Sequence, residues 1–144
     1  MVNAQITTIF TACPKDNPPL LDISLDRDPV VPGASIMFGI HGLAEKDITL
    51  GSTLAVGFFT LGANPTTIGD PFYKYVCDLA PCPIQIAGYD FLLRALVPIP
   101  ANLPTAYMII VFMKYPTDTY IGCAAATVDP NETPSPEPFP TPLI

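Results

Sequence analysis

Short alternating runs of apolar and polar residues dominate the chain, and each run is cut off by proline or glycine. Leu21, Ile23 and Leu25 alternate with Asp22, Ser24 and Asp26, which predicts a half-buried strand. After Pro32-Gly33, the apolar positions Ile36, Phe38 and Ile40 predict a second. Thr49–Leu61 reads as a third, with Leu54, Val56 and Phe58 on one face, and Phe72–Val76 as a short fourth. Tyr89, Phe91, Leu93, Ala95 and Val97 share one phase, opposed by Asp90 and Arg94. Tyr107–Tyr115 is apolar on both faces, and Tyr120–Val128 is the last predicted strand. Apolar residues at helical spacing are not sustained anywhere, so no helix longer than a turn or two is expected. Nineteen prolines and nine glycines recur at the rhythm of a β-sandwich rather than a bundle.

The last stretch differs in kind. Pro130, Pro134, Pro136, Pro138, Pro140 and Pro142 recur nearly every second residue. Proline donates no ladder hydrogen bond, so residues 129–144 are expected to form an extended or disordered tail behind a single domain of residues 1–128. Asn131-Glu132-Thr133 in that tail is a glycosylation sequon, whereas the proline in Asn64-Pro65-Thr66 blocks one there.

Composition narrows the function classes. The chain has 144 residues and a net charge of -7, so a nucleic-acid phosphate backbone would be repelled. Hydrophobic residues make up 49% and charged residues 13%. A spanning helix needs about 20 largely apolar residues with intact backbone bonding. The longest uncharged stretches are interrupted by Gly51, Gly57, Gly62 and Pro65, or by Pro98, Pro100 and Pro104, and do not fit that requirement. The apolar excess therefore means either a large core or side chains lining an internal cavity. Met1-Val2-Asn3-Ala4-Gln5 lacks the basic and apolar regions of a signal peptide, so a secreted form is expected to have lost its leader.

Four cysteines allow three pairings. Cys77 and Cys82 are close enough in sequence to bridge to each other, which leaves Cys13 with Cys123. The rival is a four-thiolate zinc site, but structural zinc wants two close pairs, and Cys13 and Cys123 lack close partners. An even count fits an oxidising compartment. His41, the one histidine, lies opposite in phase to Ile36, Phe38 and Ile40 and is expected at the surface. There is no Gly-x-Ser-x-Gly elbow and no phosphate-binding glycine loop. The acids fall mainly at turns and outward phases. No catalytic residue, metal or cofactor is assigned, and no enzyme is expected.

In order along the chain, Cys13-Pro14, Pro32-Gly33, Cys77-x4-Cys82-Pro83-Ile84, Tyr89-Asp90, Val97-Pro98, Leu103-Pro104 and Cys123 resemble the ML-type lipid-recognition family. That family includes the soluble Niemann–Pick type C sterol carrier, the group 2 mite allergens and fungal phosphatidylglycerol/phosphatidylinositol transfer proteins. The resemblance implies an all-β, immunoglobulin-like sandwich of two antiparallel sheets with an apolar cavity between them. It also implies disulfides 13–123 and 77–82. A third disulfide common in the family has no counterpart here, since no cysteine lies between Pro14 and Val76.

The implied ligand is a sterol, fatty acid or phospholipid, held by partition and transferred rather than converted. Ile36, Phe38, Ile40, Leu54, Val56, Phe58, Phe91 and Leu93 are its expected walls. Aligned on Cys123, the inward phase of the long strand falls on Met108, Ile110 and Phe112, with Lys114 near the rim, and that of the last strand on Ala124, Ala126 and Val128. The mouth is placed at Ile99, Leu103 and Pro104, facing Ile68 and Phe72. Expected partners are a small hydrophobic ligand and a transient membrane or lipid-carrier partner, the protein being a monomer or weak homodimer. The expected location is extracellular or the endolysosomal or vacuolar lumen. The alternative function is a secreted interaction protein, receptor-docking or allergen-like, that uses Tyr107, Ile109, Val111 and Met113 as an outward apolar face.

Overall fold

A computed structural model describes residues 8–84 and 90–130. Among these residues, seven strands form two antiparallel sheets. The first sheet contains β1 (Asp22–Leu25), β2 (Ser35–Leu43) and β5 (Asp90–Pro98), in the order β1-β2-β5. The second contains β3 (Thr53–Phe59), β4 (Phe72–Tyr75), β6 (Tyr107–Lys114) and β7 (Tyr120–Val128), in the order β4-β3-β6-β7. A single 3-10 turn at Val76–Asp78 comes after β4. The third and fourth strands are shorter than their apolar runs, because Gly51 and Ser52 belong to a turn at one end and the chain tightens after Tyr75 at the other.

Alternation decides which way the strands face. On β5, Phe91, Leu93, Ala95 and Val97 are buried, and Asp90, Leu92, Arg94 and Leu96 are exposed. Tyr89, expected to share the inward phase, lies outside the described residues, as do Asn131 and the rest of the tail from 131. On β2, Ile36, Phe38 and Ile40 face inward, and Leu54, Val56 and Phe58 do so on β3. These meet between the sheets in one continuous apolar core.

The long strand β6 turns out reversed from its expected phase. Tyr107, Ile109, Val111 and Met113 are buried, whereas Met108, Ile110 and Phe112 are only partly covered and face outward. Register explains why. Ile109 lies opposite Ala126 and Val111 opposite Ala124, and directly opposed residues share a face of the sheet. With Ala124 and Ala126 buried as expected, Met108, Ile110 and Phe112 cannot also point inward. The face expected to dock a partner, Tyr107 to Met113, is therefore core.

The long edge between the sheets is laced on one side only. The segment 11–21 runs along β7. Thr11 and Ala125 exchange two backbone hydrogen bonds of 2.8 Å, the Cys123 amide donates to the Pro19 carbonyl at 2.8 Å, and the Leu21 amide donates to the Cys123 carbonyl at 3.2 Å. The chain then passes directly into β1 of the other sheet, and the Cys13–Cys123 disulfide fastens this strap. On the opposite side, β4 and β5 are edge strands with no further strand paired to them among the described residues.

Candidate functional site

The region between the sheets is the candidate site, and its chemistry is almost wholly apolar. Ser52 is the one buried polar side chain among the described residues that is not a tyrosine or cysteine, and its hydroxyl has no partner. The expected cavity is closed. Phe38, Ile40, Leu54, Val56, Val97, Ile109, Val111 and Ala124 have no solvent-accessible surface, so no water-sized void touches them. Facing side chains therefore meet across the gap. Two clefts do open at the surface, outside the sandwich. One of about 610 Å³ lies beside Lys46, Thr49, Tyr115 and Pro116. The other, of about 400 Å³, lies beside Leu20, Asp22, His41 and Asp90.

The two ends of the open side differ. At the lower end, the Cys77–Cys82 disulfide staples the connection between β4 and β5. Just beyond it, Ile84 and Ile48 exchange backbone hydrogen bonds of 3.0 and 2.8 Å, which ties this connection to the one between β2 and β3. Tyr115 adds a further tie, its hydroxyl accepting from the Lys46 amide at 3.4 Å while the Lys46 ammonium sits 4.7 Å from its ring centre.

At the upper end, the residues expected at the mouth come together as two lips. Ile99 is buried, and its amide donates to the Ala34 carbonyl at 2.8 Å while its carbonyl accepts from Gly33 at 3.1 Å, which anchors it to the three-stranded sheet. Ile68 is buried, and its amide donates to the Phe58 carbonyl at 2.7 Å, which anchors it to the four-stranded sheet. Phe72 and Leu103 pack against the core from the two lips, while Pro104 stays exposed. No backbone hydrogen bond joins one lip to the other among the described residues. They come close without one: a Cβ on Gly69, which sits at φ +69, would meet Pro100 at 3.2 Å. Contact without hydrogen bonding is a closure that can part without leaving buried polar groups unsatisfied.

Tyr107 stands at this same upper end, its ring 6.3 Å from that of Phe58. Burial, and then the Asp28 carboxylate, push its phenol up to about 12. Thr8 donates to Asp28 from its amide at 2.9 Å and from its hydroxyl at 2.6 Å, fixing that carboxylate in place. Because the raised value favours the neutral phenol in the folded chain, this contribution to stability is complete below pH about 10 and is lost as pH rises through about 12. An absorbance titration of tyrosinate should show a late component near pH 12 that Tyr107→Phe removes.

The remaining candidates are structural or exposed. All four cysteines are paired as 13–123 and 77–82, so no thiolate is left for zinc. His41 is on the surface as expected, with Nε2 2.9 Å from Asp90 Oδ2 and Nδ1 3.9 Å from Asp22 Oδ2. Lys114 lies on the outer face over the rings of Phe112 and Tyr120, not at a cavity rim. Sequence reasoning missed Tyr107, Ile109 and Val111 as inward residues. Ala126 and Ala124, opposite Ile109 and Val111 on β7, carried the missing signal, since small residues on one strand of a core commonly face large ones on the next.

No protein-family model and no curated protein matches the sequence. Solved structures do match in fold. The chain is similar to chicken MD-1 in its crystal structure complexed with lipid IVa, with a TM-score of 0.60 and 13% identity over 90% of this chain and 93% of that one. It is similar also to a Niemann-Pick type C2 protein from Japanese carpenter ant, with a TM-score of 0.62 and 16% identity over 83% of this chain and 96% of that one. At these identities the likeness is one of architecture: this chain has the two-sheet, immunoglobulin-like sandwich expected from its resemblance to the ML-type family.

Proposed function

We propose that this protein binds a small hydrophobic ligand, an acyl chain or sterol, between its two sheets, which part at one end to admit it. The observation that carries this reading is the pair of apolar lips, each bonded to a different sheet and not to each other. The fold shared with MD-1 in its lipid IVa complex supports it.

Magnitudes bear on the kind of ligand. Parting the lips exposes Ile68, Phe72, Ile99 and Leu103, at a cost of up to about 1.5–3 kcal/mol each. A methylene moved from water into the interior contributes about 0.8 kcal/mol. Opening is thus offset only by a ligand burying on the order of ten methylenes. Long acyl chains and sterols fit that requirement, and short fatty acids do not. Among the described residues, no cation stands in the interior to fix a phosphate, so any headgroup stays at the lips.

Native mass spectrometry after incubation with a long-chain fatty acid, a sterol or a phospholipid should show a one-to-one complex with at least one of them. Hydrogen exchange should then change at Ile68–Phe72 and Ile99–Leu103, and not around Cys77–Cys82. If no lipid is retained at micromolar protein, the reading is wrong. Transfer between membranes or carriers, and a location in the extracellular space or an acidic lumen, are part of the same proposal. They are tested by moving a labelled lipid between donor and acceptor vesicles and by locating the protein in cells.

A further inference from the structure

Among the four edges of the two sheets, that of β5 is the least protected. The strap lies along β7, and β1 has only four residues. On β4, Lys74 lies opposite the inward Leu54, and a lysine in the inward phase of an edge strand obstructs the approach of another strand. β5 runs for nine residues, its inward phase is wholly apolar, and no strand pairs with its free side among the described residues. Its outward phase carries Asp90, Leu92, Arg94 and Leu96, and the two leucines are 53% and 55% exposed. Leu43, opposite Asp90 on β2, is exposed beside them. Backbone direction adds a second observation. The Ile99 amide donates to the Ala34 carbonyl, one step beyond the Ser35–Pro98 pair. Alternate residues of an antiparallel ladder bond to the same neighbour. Val97, Ala95, Leu93 and Phe91 therefore bond to β2, whereas Asp90, Leu92, Arg94 and Leu96 hold their amides and carbonyls toward the open edge. Pro98 follows in that same phase, lacks an amide, and ends the usable stretch.

The side chains along this edge choose its occupant. Asp90 and Arg94 carry opposite charges and stand at equal distances on either side of Leu92. The stretch is therefore complementary to itself. A second β5 laid antiparallel, with Leu92 opposite Leu92, puts each Asp90 opposite the partner's Arg94. Opposite charges and apolar pairs set directly across from each other stabilise strand pairing, and like charges oppose it. A register centred on Leu93 would set each charge opposite a leucine, and one centred on Arg94 would face two arginines. Arg94 has no ion-pair partner among the described residues. Asp90 is held through Oδ2, 2.9 Å from His41 Nε2, which leaves Oδ1 for a guanidinium.

We propose that two copies of this chain pair edge to edge through β5, antiparallel and centred on Leu92, so that their three-stranded sheets join into one. The pairing occupies the half of β5 away from the lips, and Ile99 stays outside it. The paired stretch is short, and interfaces under about 1,000 Å² are weak ones, so the dimer forms at high protein concentration.

Sedimentation velocity of the full chain between about 10 μM and about 1 mM should show a reversible rise from the monomer toward the dimer. Asp90→Arg and Arg94→Asp should each lose the dimer, because each sets like charges across the two-fold axis. A mixture of these two variants should form it again, since every opposed pair then has opposite charges. Leu92→Pro deletes an amide that faces the open edge rather than β2, and should also lose the dimer while the far-ultraviolet circular dichroism stays the same. Leu92→Lys serves the same purpose if the proline variant misfolds. A chain that stays monomeric up to the highest concentration overturns the proposal. So does a dimer that survives all of these substitutions, which assigns it to another face, or a mixture that stays monomeric, which rules out this register. Binding to phosphatidylcholine vesicles in place of self-association overturns it too, and assigns the exposed leucines to a membrane.

Discussion

Val111→Asp is expected to leave no stably folded protein, whereas Phe112→Asp, one residue further on, is expected to leave the sandwich intact. Val111 has no exposed surface and lies between Val56 and Ala124 of the neighbouring strands. A carboxylate there would be buried among hydrocarbon with no partner, at a cost of several kcal/mol. That is a large part of the roughly 5–15 kcal/mol that holds a domain of this kind together. Phe112 is partly exposed, packed edge-on against Tyr120 with ring centres 6.2 Å apart, and Lys114 stands beside it. Its loss removes an aromatic contact of about 0.5–1.5 kcal/mol, and the new carboxylate stays in water near a cation. Urea denaturation followed by circular dichroism separates the two. The opposite order would mean that β6 faces the other way.

The second large effect concerns the disulfides, whose contributions should differ by a factor of about two. Cys13 and Cys123 are 110 residues apart, and Cys77 and Cys82 are five apart. In the chain-entropy account, a crosslink restrains the unfolded chain more as the loop it closes grows. Replacing Cys13 and Cys123 by serine should therefore cost about 4–5 kcal/mol, and replacing Cys77 and Cys82 about 2 kcal/mol. Under non-reducing conditions, the urea midpoint of the first double variant should fall much further than that of the second. Equal losses would mean that the strap along β7 holds its place by hydrogen bonds alone.

The two strands that matter most show what was legible in the sequence. On β5, Asp90 and Arg94 break the apolar run at alternate positions, so its inward face could be read from spacing. On β6 no polar residue interrupts Tyr107 to Met113, and period-two alternation carries no phase when both phases are apolar. Only the register against Ala124 and Ala126 settles it, and that register is a relation between two strands, shifted by an irregularity at Met113/Lys114, rather than a pattern within one. The cysteines were legible because only four residues lie between Cys77 and Cys82, which leaves few choices. The closed interior was not. Composition says how much hydrocarbon there is to bury, but whether Phe38 and Val111 meet or stand apart depends on the spacing of two sheets, which no local pattern encodes. Ile68, Phe72, Ile99 and Leu103 were grouped at one end of the sandwich through the resemblance to the ML-type family, not through any pattern in the residues themselves.

The strap that binds β7 to the start of β1 makes the sandwich a book with a stitched spine, whose fore-edges at β4 and β5 are tied at the lower end and unbonded at the upper end among the described residues. Sheets stack about 10 Å apart, and a sheet three strand-spacings wide is about 15 Å across. Admitting a hydrocarbon chain about 4 Å thick at the fore-edge then takes a rotation of about 15–20° about the spine. Neither disulfide bridges the fore-edges at their upper end, so the pages can turn with every crosslink intact. If the proposed ligand enters there, the angle at which they come to rest would measure its thickness.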